Sequence, residues 1–201
     1  MRKISVLDRI LLLGTCLLSA YQISAGMNGL NLPATWGYTI GFGILLVASL
    51  LLIILGFEGL ENQTVIIVST LIPLCISFGL VSVHFSEYIL PYLIFCIVGF
   101  GLISITRFAA DGRVATIILT LVHGIAGILI TFLPVILVIQ GQARPGYILV
   151  GLGGAIIGIG GMLFALLKTG KPILSQEKIL SLLPALLFLM TSAYIVGFSL
   201  Q

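Results

Sequence analysis

Seven stretches of about 20 residues, nearly free of charge, follow one another along this chain with only short polar links between them, and no other feature narrows its fold as much. A segment in hydrocarbon must satisfy its own backbone N–H and C=O groups, which leaves helices or a closed barrel. The stretches lack the strict polar alternation of a lumen-facing strand, so helices are expected. Composition agrees: 60% of the residues are hydrophobic and 7% are charged, against roughly 25% charged in a soluble domain. The expected fold is an all-α integral membrane bundle, a polytopic protein with spans at about 10–27, 37–56, 64–84, 88–106, 114–139, 147–167 and 179–199. Residues 1–201 form a single transmembrane helical domain in this reading.

Basic residues give the orientation. With the N-terminus inside, Arg2, Lys3, Arg9, Arg107, Arg113, Lys168, Lys171 and Lys178 are cytoplasmic and only Arg144 is external. Lys and Arg in short loops stay on the cytoplasmic side, which predicts an N-in, C-out protein, expected in the plasma (inner) membrane of its cell. Arg2, Lys3 and the apolar run behind them also fit a secretory signal peptide, but Ile23-Ser24-Ala25 puts a bulky residue where cleavage favours a small one. Removal of that segment would leave six spans facing the same way. Trp36, Tyr38, Tyr88, Tyr92 and Tyr147 fall near the external boundary, as an interfacial aromatic belt would place them.

Ser175 before Glu177 predicts an N-cap with an acid in the first turn, and Asp111-Gly112 predicts a tight turn. A 3+1+3 internal repeat is a further expectation. Gly37-Tyr38 opens the second span as Gly146-Tyr147 opens the sixth, and Thr70-Leu71-Ile72-Pro73 in the third parallels Ser181-Leu182-Leu183-Pro184 in the seventh. Parallel three-helix repeats joined by one linking helix are also the plan of SWEET-type sugar transporters, whose N-terminus is external, opposite to the orientation expected here.

The chemistry-bearing side chains are few. The fifth span carries Thr116, Thr120, His123, Gly127 and Thr131 on one helical face, followed by Pro134, a face expected to turn away from lipid. His123 lies about ten residues beyond Arg113, hence ~15 Å deep, where an ionisable group points to a solute or proton pathway unless it is a packing histidine satisfied by a neighbour. Ser69, Pro73, Ser77 and His84 on the third span, with Thr15, Ser19, Gln22 and Gly26 on the first, are candidates to line the same route, and threonines near His123 are candidate hydrogen-bond partners. His84 and Glu87 are expected to pair at the external boundary, while Glu58 and Glu61 read as solvated. In the sixth span, Gly151, Gly154, Gly158, Gly161 and Ala165 recur at steps of three and four, a bare face expected to pack against a neighbouring helix, within the bundle or in a homo-oligomer.

Other chemistry finds little support. The glycines lack the GxGxxG spacing, and the surroundings of Lys171 miss a P-loop at Ala165 and Pro172. Cys16, Cys75 and Cys96 have no metal-ligand spacing and sit in apolar stretches. No basic patch for nucleic acid is present. With no paired carboxylates or nucleophile and base at depth, the chain is expected to be no enzyme and to need no cofactor or metal. Three functions remain: a transporter or permease-like protein for a small neutral or lipophilic solute, an accessory or structural subunit of a larger membrane complex, or a membrane sensor of a lipophilic ligand. The bilayer itself is the first partner.

Overall fold

A computed structural model describes every residue except Met1, Asn28 and Asp111, together with the side chain of Lys168. The expected turn at Asp111 and the side chain of Lys168 therefore lie outside the described residues. Eight helices are present among them: α1 (Val6–Ala25), α2 (Leu32–Leu55), α3 (Gln63–Ser69), α4 (Leu71–His84), α5 (Ile89–Ala109), α6 (Gly112–Ile139), α7 (Ile148–Lys168) and α8 (Gln176–Ser199). Taking α3 with α4, seven helices are long and apolar enough to cross a membrane, which makes this an integral membrane protein by length and composition.

Local chemistry sets the helix ends. Ser5 accepts from the Asp8 amide at 3.1 Å while the Asp8 carboxylate accepts from the Ser5 amide at 2.8 Å, a reciprocal capping box that starts α1. Asn31 caps α2 and also donates to the Ser82 carbonyl at 2.6 Å, tying the start of α2 to the end of α4. Asn62 caps α3 and Ser175 caps α8. The third span is broken at Thr70. Pro73 has no N–H to continue the ladder there, and the hydroxyls of Ser69 and Thr70 turn back onto the Ile66 and Ile67 carbonyls at 2.9 and 2.7 Å.

Packing closes a ring in the order α1, α2, α4, α6, α7, α8 and back to α1, with α5 outside it against α4 and α6. Large apolar side chains cover the outward faces, among them Leu90, Ile94, Ile97 and Ile105 of α5, as a lipid-facing surface requires. The bundle has two ends. One, here the basic end, carries residues 2–5, 56–62, 110 and 169–175; the other, the aromatic end, carries 26–27, 29–31, 85–88, 140–147 and Gln201.

The main core lies wholly toward the aromatic end. Tyr38 and Phe42 of α2 meet Tyr147, Tyr194 and Phe198 from the other side of the ring, with Phe198 4.8 Å from Tyr38 and 6.3 Å from Tyr147 between ring centroids. Glycines let the backbones close around it: a Cβ on Gly37 would stand 2.8 Å from the Cys75 carbonyl oxygen, and one on Gly197 would stand 2.6 Å from Val150. This core corrects the expected aromatic belt. Trp36 and Tyr88 are exposed as a belt requires, but Tyr38 and Tyr147 are 2% and 0% exposed, and Tyr92 turns its hydroxyl inward onto Ser77 at 2.8 Å. A smaller core of Ile67, Leu74, Ile103, Val122 and Ala126 seats α5.

Candidate functional site

The polar face of α6 runs along its boundary with α7 and changes character along its length. Toward the aromatic end the two helices touch. A Cβ on Gly151 would collide with the Thr131 carbonyl oxygen, and one on Gly154 would stand 2.9 Å from both Ile130 and the Thr131 hydroxyl. Toward the basic end they part. Gly124 and Gly127 of α6 and Gly158 and Gly161 of α7 meet nothing within 4 Å, and Gly158 and Gly161 are exposed. The glycine stripe therefore has two parts: Gly151 and Gly154 pack, while Gly158 and Gly161, expected from periodicity to do the same, are uncovered. A stripe at steps of three and four specifies a face, whereas contact along it also needs the axes to stay together.

The threonine face follows the same division. Its buried neighbours on α6 are Ala115, Val122, Ala126, Ile130 and Leu133, which face the cores. Thr116 spends its hydroxyl on the Gly112 carbonyl at 2.7 Å, and Thr120, expected inside the bundle, is exposed. A serine or threonine bonded to its own helix needs no interior partner, which removes the reason for turning the face fully inward. His123 is partly covered, with Nδ1 sealed inside protein and without a hydrogen-bond partner. The expected threonine partners do not reach that nitrogen.

The remaining candidates separate from His123. Ser77 donates to the Pro73 carbonyl at 2.6 Å and accepts from Tyr92, which pins α5 to α4. Gln22 is buried in α1, donates to the Gly26 carbonyl at 3.4 Å and borders a cavity of about 20 Å³ with Tyr38 and Phe42. A second cavity of about 60 Å³ lies between α2 and α3 beside Leu52, Ile66 and Ser69. Since one water needs about 10–15 Å³ by such a measure, both spaces are of the size of a few waters rather than of a solute.

His84 does not pair with Glu87. Helix α4 ends at Phe85, whose backbone leaves the helical region, and this takes Glu87 off the His84 face. The His84 Nε2 instead meets the Tyr147 hydroxyl at 3.0 Å and the Gln201 amide at 3.4 Å, joining three elements at the aromatic end. Among the described residues the one ion pair is at the other end: Arg2 to Asp8 at 3.0 Å, with Asp8 only 3% exposed. Arg2 also reaches the Leu180 carbonyl at 3.4 Å and lies 5.6 Å from the Phe57 ring centre. The spacing of Ser5 and Asp8 carries the capping signature that would have found this acid. No cluster of three metal-ligating side chains occurs among the described residues.

No protein-family profile, curated protein or solved structure matches the chain.

Proposed function

We propose that this protein is a transporter-like membrane protein that takes a small lipophilic solute from the bilayer into the groove between α6 and α7, with its N-terminus and basic end in the cytoplasm and its C-terminus outside. The observation that carries the reading is the unmet Nδ1 of His123 at the edge of the stretch where Gly127 and Gly158 stand uncovered. A buried polar atom without a partner is costly and is retained where something else supplies the partner. The other end of the ring is filled by the aromatic core, which supports entry from the opposite end.

The 3+1+3 plan supports the same reading. In the ring order α1, α2, α4 and then α6, α7, α8, each triplet packs in sequence, and the two joints between triplets, α4 to α6 and α8 to α1, correspond. Tyr38 and Tyr147, equivalent under that repeat, both lie in the shared core. Alternating access by rocking of one repeat on the other needs this arrangement. The inner or plasma membrane is the proposed location, on the positive-inside bias. Insertion into microsomes tests the orientation, because glycosylation at Asn62 would place the basic end on the lumenal side.

The test of function is movement of a fluorescent short-chain lipid analogue between the leaflets of proteoliposomes, read by dithionite quenching. The parent protein is expected to accelerate it, and His123→Ala to lower the rate per folded molecule. A rate that only follows the amount of folded protein would make His123 a packing residue.

A second reading, an accessory subunit of a larger membrane complex, draws on the exposed Gly158 and Gly161, which give a partner helix room for close approach. Purification in mild detergent separates the two, since a stoichiometric partner protein favours the subunit.

A further inference from the structure

We propose that the recess between α1 and α2 at the aromatic end binds the hydroxyl group of an uncharged amphiphile, an alcohol head whose alkyl chain lies along α2 past Gly43 and Val47. The site stands apart from the α6–α7 groove and does not depend on it.

The recess is the cavity of about 20 Å³ bordered by Gln22, Gly26 and Thr39 and by an apolar wall of Ile23, Met27 and Phe42. Gln22 is 6% exposed. Its amide N–H reaches the Gly26 carbonyl at 3.4 Å, near the limit of a hydrogen bond. Turning the amide over would set two oxygens against each other, so Oε1 is the free atom. That oxygen has no partner among the described residues, and it keeps accessible surface, unlike the sealed hydroxyls of Ser19 and Tyr38. Thr35 spends its hydroxyl on the Asn31 carbonyl at 3.0 Å, whereas the hydroxyl of Thr39 bonds to nothing among the described residues. A buried amide with half of its bonding unmet is ordinarily completed by another group.

The lining decides the chemistry of that group. No charged side chain or histidine borders the recess among the described residues, so a charged head would leave water without a counter-charge, at large cost. The acceptor of Gln22 and the hydroxyl of Thr39, which both donates and accepts, match a group that does the same, a hydroxyl. The volume admits one such group and no ring, since a single water already takes about 10–15 Å³. The seam below the recess points to an amphiphile rather than to water. Positions 39, 43 and 47 follow one another at helical spacing on α2. A Cβ on Gly43 would meet only Ile23, at 4.0 Å, and Val47 is 53% exposed. A shallow apolar track therefore runs from the recess along α2 toward the basic end, where a chain in the bilayer can lie. Tyr21 and Trp36 are exposed at the level of the recess, as aromatic residues among lipid head groups are.

The test is binding by the full-length protein in a detergent that carries no hydroxyl group, measured by thermal shift and native mass spectrometry with 1-dodecanol, its methyl ether and dodecanoate. Dodecanol is expected to bind at least 5-fold tighter than either of the others. Gln22→Leu, Thr39→Val and Gly43→Leu, the last filling the track, should each weaken dodecanol binding at least 3-fold. Ser24→Ala, at a nearby hydroxyl bonded to the Ala20 carbonyl of its own helix, should weaken it less than 2-fold. Equal binding of the methyl ether or of dodecanoate would leave the recess to water and overturn the site. Parental dodecanol affinity in Gln22→Leu, Thr39→Val or Gly43→Leu, or an equal loss in Ser24→Ala, would overturn it too. Should Gln22→Leu fail to fold, Thr39→Val changes an exposed position without a hydrogen bond and carries the test. Binding is read without flux, so a silent lipid-movement assay beside intact dodecanol binding removes transport and keeps this site, and the converse result does the reverse.

Discussion

The two halves of this bundle are made of the same helices and hold together differently. Toward the aromatic end, Tyr38, Phe42, Tyr147, Tyr194 and Phe198 fill the middle of the ring, and glycines such as Gly37, Gly151 and Gly197 bring backbones into contact around them. Toward the basic end no aromatic core bridges the ring among the described residues. The joints there are local: Gly14 against Phe188 between α1 and α8, the Arg2–Asp8 pair, and the small core under α5. Van der Waals packing is the main force that holds helices together in lipid, where apolar burial alone gains little. The half with close backbone contacts is therefore the rigid one, and the half with an open glycine groove is free to bind or move.

The largest expected effect is at the tightest contact. Gly151→Leu drives a side chain into the Thr131 carbonyl, and overpacking of that kind should cost about 3 kcal/mol or more, visible as a large fall in melting temperature or loss of folded protein. A parental melt would break the comparison at its rigid side. Next comes Asp8→Ala at the basic end, which removes a cap and strands Arg2 beside Phe57 and Leu180. A loss of about 2 kcal/mol is expected, and Asp8→Asn should recover part of it by keeping the cap; equal melts for the two variants would make the ion pair the whole effect.

Tyr92→Phe removes the hydroxyl that binds Ser77 and should cost about 1 kcal/mol, with hydrogen exchange of α5 rising more than that of α8. The smallest effect is at Gly158→Leu. Because nothing lies within 4 Å of that position, stability should change by less than about 0.5 kcal/mol, while filling the groove should lower lipid-analogue movement. Destabilisation on the scale of Gly151→Leu would mean that the groove is closed in the working protein.

The helices were legible in the sequence to within a few residues at most ends, α2 excepted, which begins at Leu32 rather than near 37. The break at Thr70 was less legible, although Pro73 was in plain view, because a proline in the first turn of a helix is tolerated and only the turned-back hydroxyls of Ser69 and Thr70 end α3 there. Tyrosines near one end all looked alike. Tyr88 does face outward, but Tyr38 and Tyr147 are core and Tyr92 is a clasp, since distance along a helix gives depth and not rotation. The partner of His84 is Tyr147, just before α7 and remote in sequence, so the nearby Glu87 was the wrong neighbour.

Composition by itself determined that the chain makes apolar helices of membrane length, because a bilayer acts on each segment separately through its length and its backbone hydrogen bonds. Periodicity also determined that His123 shares a face with threonines and that Gly151 shares one with Gly158. Which parts of those faces are covered was decided only by the tertiary structure. Helices α6 and α7 touch at Gly151 and Gly154, whereas Gly158 and Gly161 stay uncovered. Such contacts depend on the rotation and divergence of two helices at once, which no single segment encodes.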